Sequence, residues 1–262
     1  MAGEQSNAAE HYRQAAPDFG AAQGDFVRTA FDDVRQCLSA DGSAPAETSL
    51  TRQKTCVIQW ARGAGLLLTA EQFPQIFRGG QEHDLYHEEA TDRYFKITRN
   101  GMFGLSPGMD IALVSSDQDG RRFQLWEAMP FDYLERLVLH NELVPGLNRL
   151  EGILAQPNDD LAIVTSQPRF DIVPVNETEI DNWFSRQGFR KITQSAYYRE
   201  EDNLGVFDAH DKNVIRAGEW LVPFDVIPCH PAPGFQKFIQ DTLNAGKTLR
   251  AERIVSPALS NS

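Results

Sequence analysis

Hydrophobic positions near the start of the chain recur at helical spacing. The repeating residues are Phe26, Ala30, Phe31, Val34 and Leu38. Intervals of three and four residues place such side chains on one helix face. A Gly- and Pro-containing loop at 41–46 follows, and residues 49–63 form a second helical stretch. The pattern predicts a mostly helical N-terminal region over residues 1–72. No polar residues in this region have the spacing of a catalytic motif, and we expect the region to pack against the domain that follows.

The next block has the pattern of a β-meander. Strand-like segments at 75–78, 83–87 and 93–98 are separated first by Gly79 and Gly80 and then by the polar residues 88–92. Short apolar runs bounded by turn residues are typical of antiparallel strands. This block begins a second segment, which we place at residues 73–168.

The remaining elements alternate between helices and short strands. Helices are predicted at 130–142, where Pro130 suits the first turn, at 177–187, where Gly188 suits the C-cap, and at 235–244. Strands are predicted at 150–154 and 161–165, around a turn at 157–160, and before Asp208 and Asp225. Residues 169–262 form the third predicted segment, and residues 256–262 are expected to fray.

Composition narrows the class of protein. The 262 residues are 41% hydrophobic, which is enough for a core, and their formal net charge is -12. An acidic balance argues against a nucleic-acid-binding surface. No apolar stretch approaches the ~20 residues that cross a bilayer, and the N-terminus lacks the basic and apolar regions of a signal peptide. We therefore expect no membrane and no nucleic-acid partner.

The cysteines are few and widely spaced. Cys37, Cys56 and Cys229 are odd in number and match no zinc pattern. We expect no disulfide framework, and a reducing cytoplasm fits this usage best.

Three oxygen-bearing side chains near the C-terminus suggest chemistry. Asp208 is followed five residues later by Asn213, and Asp225 lies twelve residues further on. Phosphoryl transfer from ATP needs a carboxylate that accepts a hydroxyl proton, together with an amide oxygen and a second carboxylate that hold Mg²⁺. Asp and Asn are also common turn residues, but Asp225 interrupts an apolar run where no turn is expected.

Other polar positions have two readings each. Lys96 lies in an apolar strand and either reaches solvent or points into a cleft. Gly79 and Gly80 could let backbone N–H groups approach phosphates or could form a tight hairpin. Glu135, in the helix after the meander, could pair with Lys96 or simply be exposed, and Glu142 competes with it for that pairing.

Two further site classes find little support. His83 and His87 would suggest zinc on a helix, but in a strand their side chains lie ~13 Å apart. Gly104-Leu105-Ser106-Pro107-Gly108 has the Gly-x-Ser-x-Gly spacing, but a nucleophile elbow turns from a strand directly into a helix. No helix is predicted directly after Gly108, so we expect no serine hydrolase. His210 either positions the Asp208 loop by hydrogen bonding or is a polar turn residue.

The order of these elements resembles the protein-kinase-like superfamily. The loop 208–213 resembles the Asp-x-His-x-x-Asn loop of aminoglycoside phosphotransferases. Several segments are closer still to the polyvalent protein kinase domain of phage and mobile-element proteins, over roughly residues 74–232. They are Gly79-Gly80-Gln81-Glu82-His83, Phe95-Lys96-Ile97-Thr98, Tyr133-Leu134-Glu135-Arg136-Leu137, Asn141-Glu142-Leu143, Glu151-Gly152-Ile153, Val164-Thr165-Ser166-Gln167-Pro168 and the 208–213 loop.

The resemblance implies roles for the matching positions. Lys96 would contact the α- and β-phosphates of ATP, with Glu135 as its ion-pair partner, and Gly79 and Gly80 would cover the phosphates. Backbone groups of Thr165, Ser166 and Gln167 would read adenine at a hinge between lobes. Asp208 would be the catalytic base, and Asn213 and Asp225 would be the Mg²⁺ ligands.

The chain also departs from the usual kinase pattern. Val206 stands where many kinases carry a histidine, Val226 stands in place of a glycine after Asp225, and only 37 residues follow Asp225. A full activation segment and a large helical lobe do not fit in that length. The resemblance therefore implies a two-lobed α+β fold with a reduced, partly helical C-terminal lobe and an N-terminal helical extension.

The expected function is Mg·ATP-dependent phosphoryl transfer to a hydroxyl acceptor, either a small molecule or a protein. One alternative is a catalytically inactive kinase-like module that binds nucleotide or a host protein partner. The other is nucleotidyl transfer on the same fold, in which the AMP part of ATP is transferred to the acceptor and pyrophosphate leaves.

Overall fold

The computed structural model of the protein describes residues 22–42, 44–45, 48–73, 76–80, 82–99, 101–109, 122–155, 160–171, 173–246 and 250–253. The chain divides into two packed units. The first, called the N-terminal unit, holds the described residues up to Gly104 and the segment Ala128–Phe170. The second, called the C-terminal unit, holds the described residues of Leu105–Glu127 and Asp171–Ser262. Three predicted features lie outside the described residues. They are the turn that the sequence Asp117-Gln118-Asp119-Gly120 predicts, residues 157–159 of the predicted turn at 157–160, and the frayed end at 256–262.

The helices of the N-terminal unit confirm the periodicity of the sequence. They are α1 Ala22–Leu38, α2 Leu50–Gly63 and α3 Pro130–Leu143, with 3-10 turns at Ser39–Asp41 and Ala70–Gln72. Ser49 caps α2, because its hydroxyl accepts from the Arg52 N–H. At α3 the buried Gln53 side chain accepts from the Phe131 N–H at 3.1 Å, so a first-turn donor of α3 is satisfied by α2.

The sheet of this unit contains the predicted meander. Its strands are β1 Leu67–Leu68, β2 Phe77–Arg78, β3 His83–Glu88, β4 Arg93–Thr98, β7 Arg149–Ala155 and β8 Leu161–Pro168. They lie in the order β1-β7-β8-β4-β3-β2. Only the β1–β7 pair is parallel, and β2, β3 and β4 pair antiparallel in succession as predicted.

One face of this sheet packs on the helices. Leu161 and Ile163 of β8 share a buried core with Leu134 and Val138 of α3, and α1 and α2 contribute Val34 and Val57. The opposite face carries a smaller core around Phe73, Ile97 and Val164. The N-terminal helices therefore pack in the same unit as the sheet. The chain passes into the C-terminal unit at 104–105, returns at 127–128 and leaves again at 170–171, and the predicted segment boundaries stay predictions.

The C-terminal unit has more strands than its sequence suggested. Helices α4 Glu177–Arg186 and α5 Pro233–Asn244 accompany β5 Leu105–Gly108, β6 Arg122–Glu127, β9 Arg190–Thr193, β10 Ala196–Arg199, β11 Leu204–Phe207, β12 Val214–Ala217, β13 Trp220–Pro223, β14 Ile227–Cys229 and β15 Arg250–Arg253. The strands form one sheet in the order β14-β11-β10-β9, a hairpin of β12 and β13, and a sheet in the order β15-β6-β5. Phe207, Ile227 and Phe235 lie in its core.

The expectation of no disulfide was wrong. Cys37 of α1 and Cys56 of α2 form a disulfide, with their Cα atoms 5.9 Å apart, and Cys229 takes no part in a disulfide. The odd count and wide spacing hid the pair, because packing of two antiparallel helices, rather than sequence distance, brings cysteines together. The cytoplasmic localisation, which drew on unpaired cysteines, stays a prediction.

Opening this disulfide is expected to destabilise the N-terminal unit. The bond joins residues 19 apart in sequence, and closing a loop of that size stabilises a fold by about 3 kcal/mol. Reduction, or Cys37→Ser, should lower the thermal unfolding midpoint of this unit. The matched control is Cys229→Ser in the C-terminal unit, which should leave that midpoint unchanged. An equal midpoint for oxidised and reduced wild-type protein would contradict the prediction.

Candidate active site

The loop after β11 brings two of the predicted side chains together. Asn213 Nδ2 donates to the main-chain oxygen of Asp208 at 2.8 Å and to its Oδ2 at 2.9 Å. Asp208 has a φ of 58°, a left-handed conformation that Asp tolerates better than most residues. Because Asn213 binds both the main-chain oxygen and the carboxylate of Asp208, the last residue of the 208–213 loop is joined to the first. These two bonds fix the position of the Asp208 carboxylate.

Asp225 is tied to the same loop through the backbone. The N–H groups of Phe224 and Asp225 both donate to the main-chain oxygen of Asn213, at 3.0 and 3.3 Å. The strand β13 ends at Pro223, directly before these two residues. Asp208, Asn213 and Asp225 therefore lie in one group of contacting loops within the C-terminal unit.

His210 lies against the carboxylate of Asp208. Its Nε2 is 3.5 Å from Asp208 Oδ1, and its Nδ1 accepts from the Lys212 N–H at 3.1 Å. With Nδ1 as the acceptor, the neutral ring carries its proton on Nε2, which is the nitrogen that faces Asp208. Of the two predicted readings, the structure favours the one in which His210 positions the loop.

The donor set suits a hard cation only in part. Asn213 donates through Nδ2 in both of its bonds to Asp208, so Oδ1 is the atom it could offer to Mg²⁺. With the half-buried Asp225 carboxylate, this supplies two protein oxygens, and Mg²⁺ usually completes its shell with water and substrate phosphates. The described residues contain no group of three or more His, Cys, Asp or Glu that could hold a metal. The binding of Mg²⁺ by Asn213 and Asp225 together with a nucleotide stays a prediction.

Lys96 lies in the N-terminal unit, on the helix-covered face of the sheet. It sits opposite Thr165 in the β4–β8 pairing, and residues directly opposite share a face. Thr165 shares that face with Ile163, two residues before it on β8, and Ile163 packs with α3. The half-buried Lys96 therefore projects from the same side of the sheet that α3 covers.

The two candidate partners of Lys96 lie on α3. Glu135 is half-buried there, one residue after Leu134 in the core. Glu142 forms an ion pair with Arg28 of α1 and is 48% exposed. An established pairing with the N-terminal helix makes Glu142 the weaker candidate, and the assignment of Glu135 stays a prediction.

Gly79 and Gly80 lie between β2 and β3, as predicted, but only Gly79 is required by packing. A Cβ on Gly79 would meet Leu85 Cγ at 2.7 Å and the His83 carbonyl oxygen at 2.8 Å. A Cβ on Gly80 would meet nothing within 4 Å. The close backbone approach of this turn is therefore a property of the fold itself, and its role toward phosphates stays a prediction.

The proposed adenine-reading segment lies inside the sheet. Thr165, Ser166 and Gln167 belong to β8, are at most 4% exposed and pair with β4. Thr165 and Ser166 pair with β7 as well. Thr165 and Ser166 thus lie between two paired strands, whereas Gln167 pairs on the β4 side alone. The chain leaves the N-terminal unit three residues after Gln167. The hinge role of these three residues stays a prediction.

A buried arginine holds this segment. Arg93 donates from Nε to Ser166 Oγ at 2.8 Å and from Nη2 to the Ser166 carbonyl oxygen at 3.0 Å. Burial, together with the charge of Arg149, lowers the pKa of Arg93 to about 10. Ser166 Oγ in turn donates to Glu151, so its hydroxyl accepts one hydrogen bond and donates another within the sheet.

His83 and His87 do not share a metal site in the described structure. His83 is 7% exposed, and its Nε2 lies 2.9 Å from Tyr133 Oη on α3. His87 Nε2 lies 3.1 Å from Asp92 Oδ1. Each ring therefore has its own protein partner.

Three residues that fix the turn at Gly79 and Gly80, called the glycine turn below, were not predicted from the sequence to have a role. Glu82, Tyr133 and Arg136 join the residues after Gly80 to α3. Each stands in a segment that resembled the kinase family, but one sequence does not show which long-range pairs meet. A buried arginine on the apolar side of a helix is the signal that could have found Arg136, because such a charge needs a partner.

Comparison with known proteins supports the sequence resemblance over part of the chain. Residues 122–228 match the family model described as a serine/threonine/tyrosine kinase found in polyvalent proteins. The matched segment includes α3, β8, Asp208, Asn213 and Asp225 and begins after Gly79, Gly80 and Lys96. No curated protein and no solved structure matches the chain. None of the helices in the described part is long and apolar enough to span a membrane.

Proposed function

We propose, from the match of residues 122–228 to the model of a kinase found in polyvalent proteins, that the protein transfers the γ-phosphoryl group of Mg·ATP to a hydroxyl acceptor. The observation that carries the proposal is the pair of contacts made by Asn213. Its side chain donates to the Asp208 carboxylate, and its main-chain oxygen accepts from the N–H of Asp225. That arrangement supports the proposal, because it connects the loops of one candidate base and two candidate cation ligands, which are residue types that phosphoryl transfer requires.

Each side chain has one role in this proposal. Asp208 accepts the proton of the acceptor hydroxyl, with His210 Nε2 beside it. Asn213 Oδ1 and the Asp225 carboxylate hold Mg²⁺, which supplies neutralisation of the phosphate charge when it is bound. Lys96 neutralises the α- and β-phosphates, and Glu135 orients it. Catalysis then comes mainly from positioning and from charge stabilisation.

The test separates phosphoryl transfer from its alternatives. Wild-type protein is incubated with Mg²⁺, ATP labelled in the γ-phosphate, and pools of hydroxyl-bearing small molecules and proteins. We expect labelled product whose mass has increased by one phosphoryl group. An adenylyl increment would instead identify nucleotidyl transfer. Nucleotide binding in a thermal-shift titration with no transfer to any acceptor pool would identify a binding module, and it would overturn the proposal.

A further inference from the structure

We infer that the glycine turn is clamped to α3 by two buried side-chain pairs, Glu82 with Arg136 and His83 with Tyr133. These four residues act as positioning residues for the phosphates of the nucleotide. The inference rests on the proposed function, in which the turn covers the phosphates and α3 carries the partner of Lys96. All of the elements involved lie in the N-terminal unit.

The first pair is a buried ion pair. Arg136 Nη1 lies 2.8 Å from Glu82 Oε2, and the two side chains are only 10% and 18% exposed. A charge buried to this degree is costly without its partner, so the contact fixes Glu82 strongly. Gly104, with a φ of 79°, leaves room for the pair, because a Cβ there would lie 2.9 Å from Arg136 Nη1 and 3.0 Å from Glu82 Oε2.

The second pair is a buried hydrogen bond. His83 Nε2 and Tyr133 Oη are 2.9 Å apart, and the two residues are 7% and 3% exposed. His83 is the first residue of β3, so the bond fixes the point at which the turn enters the sheet. Tyr133 and Arg136 are three residues apart on α3 and lie on one helix face.

The turn is also held from β4. Arg99, which follows the last residue of β4, donates from Nη2 to the main-chain oxygens of Gly80 and His83, at 2.8 and 3.2 Å. Its Nε donates to Asp84 Oδ1 at 3.0 Å. The turn is therefore fastened both to the strand that carries Lys96 and to the helix that carries Glu135.

This double attachment has a consequence for the proposed chemistry. Glu135 lies between Tyr133 and Arg136 in sequence, so a movement of that helical turn displaces Glu135 and the glycine turn together. Groups that contact one triphosphate must keep their mutual geometry within a fraction of an ångström to be productive. The clamp supplies that geometry without contacting the nucleotide.

The first measurement is hydrogen exchange on the full chain. Tyr133→Phe removes one hydroxyl and keeps the ring, and we expect exchange in residues 82–85 to accelerate about fivefold or more, the value of one lost hydrogen bond. The control is Tyr86→Phe, whose ring packs with Phe73 and Phe95 on the opposite sheet face. Exchange that is unchanged in Tyr133→Phe would overturn the clamp, whether or not the protein binds nucleotide.

The second measurement compares two ligands of the same site. Tyr133→Phe and Glu82→Gln should each weaken binding of Mg·ATP about fivefold to tenfold while binding of adenosine stays within twofold of wild type, because only ATP has phosphates to position. A merely structural role would weaken both ligands equally, and that outcome would overturn the positioning role. A wild-type protein that binds neither ligand would refute the proposed function, and hydrogen exchange would still decide the clamp.

Discussion

Asp208→Ala is expected to lower kcat by about 10²–10⁴-fold, the usual contribution of a positioned general base, while the dissociation constant for Mg·ATP stays within about threefold of wild type. The variant removes the carboxylate that would accept the hydroxyl proton and leaves the proposed cation ligands in place. Asn213 can still donate to the main-chain oxygen at position 208. The measurement is steady-state transfer of labelled phosphate, with nucleotide binding followed by calorimetry.

Two further variants make this result interpretable. Asp208 has a φ of 58°, where alanine adds about 1 kcal/mol of backbone strain, so Asp208→Asn tests the charge with a residue that tolerates the conformation. Asp211→Ala is the matched control, since Asp211 lies in the same loop and its side chain is 66% exposed. We expect Asp208→Asn to be as inactive as Asp208→Ala and Asp211→Ala to be active. Full turnover in Asp208→Asn would exclude Asp208 as the base.

The sequence predicted the elements whose signals are local. The helices α1, α2 and α3 follow from apolar spacing, and the β2–β4 meander follows from short apolar runs between turn residues. The contacts within the 208–213 loop are also local, because Asn213 reaches a residue only five positions away. Such features depend on neighbours along the chain, and one sequence contains that information.

Long-range pairing was not predictable in the same way. The Cys37–Cys56 disulfide depends on how α1 packs on α2, and the Glu82–Arg136 pair joins residues 54 positions apart. Apart from β6, which has six residues, the extra strands of the C-terminal unit are three or four residues long, as in β12 and β14. Runs of that length carry little periodicity. The disulfide and most of these strands therefore leave no local periodic pattern that could be recognised in one sequence.

The predicted adenine-reading role of residues 165–167 illustrates a second difficulty. A buried β-branched and polar run ending in Pro168 suits both the last strand of a sheet and the start of a connection. In the structure it is a central strand, with β4 and β7 on either side. Sequence pattern alone cannot tell whether a backbone N–H points to a neighbouring strand or to a ligand, because the neighbour is distant in the chain.

The proposed metal ligand Asp225 gives the second large prediction. Asp225→Asn keeps the shape of the side chain and removes its negative charge, so we expect binding of ATP to lose most of its dependence on Mg²⁺. Turnover should fall by about 10²–10³-fold, as when one preorganised electrostatic contact to a transition state is removed. The measurement is ATP affinity with and without Mg²⁺, together with phosphate transfer at saturating Mg²⁺.

The comparison with and without the metal isolates the role of Asp225. In the presence of a chelator, Asp225→Asn and wild type should bind ATP equally, because the carboxylate would contribute only through the cation. Glu219→Gln, an exposed charge in the turn between β12 and β13, removes the same charge from the element that leads to Asp225 and should retain the Mg²⁺ dependence of wild type. If Asp225→Asn bound Mg·ATP as wild type does, the carboxylate would be no metal ligand, and its backbone bond to the Asn213 carbonyl oxygen would be a loop contact alone.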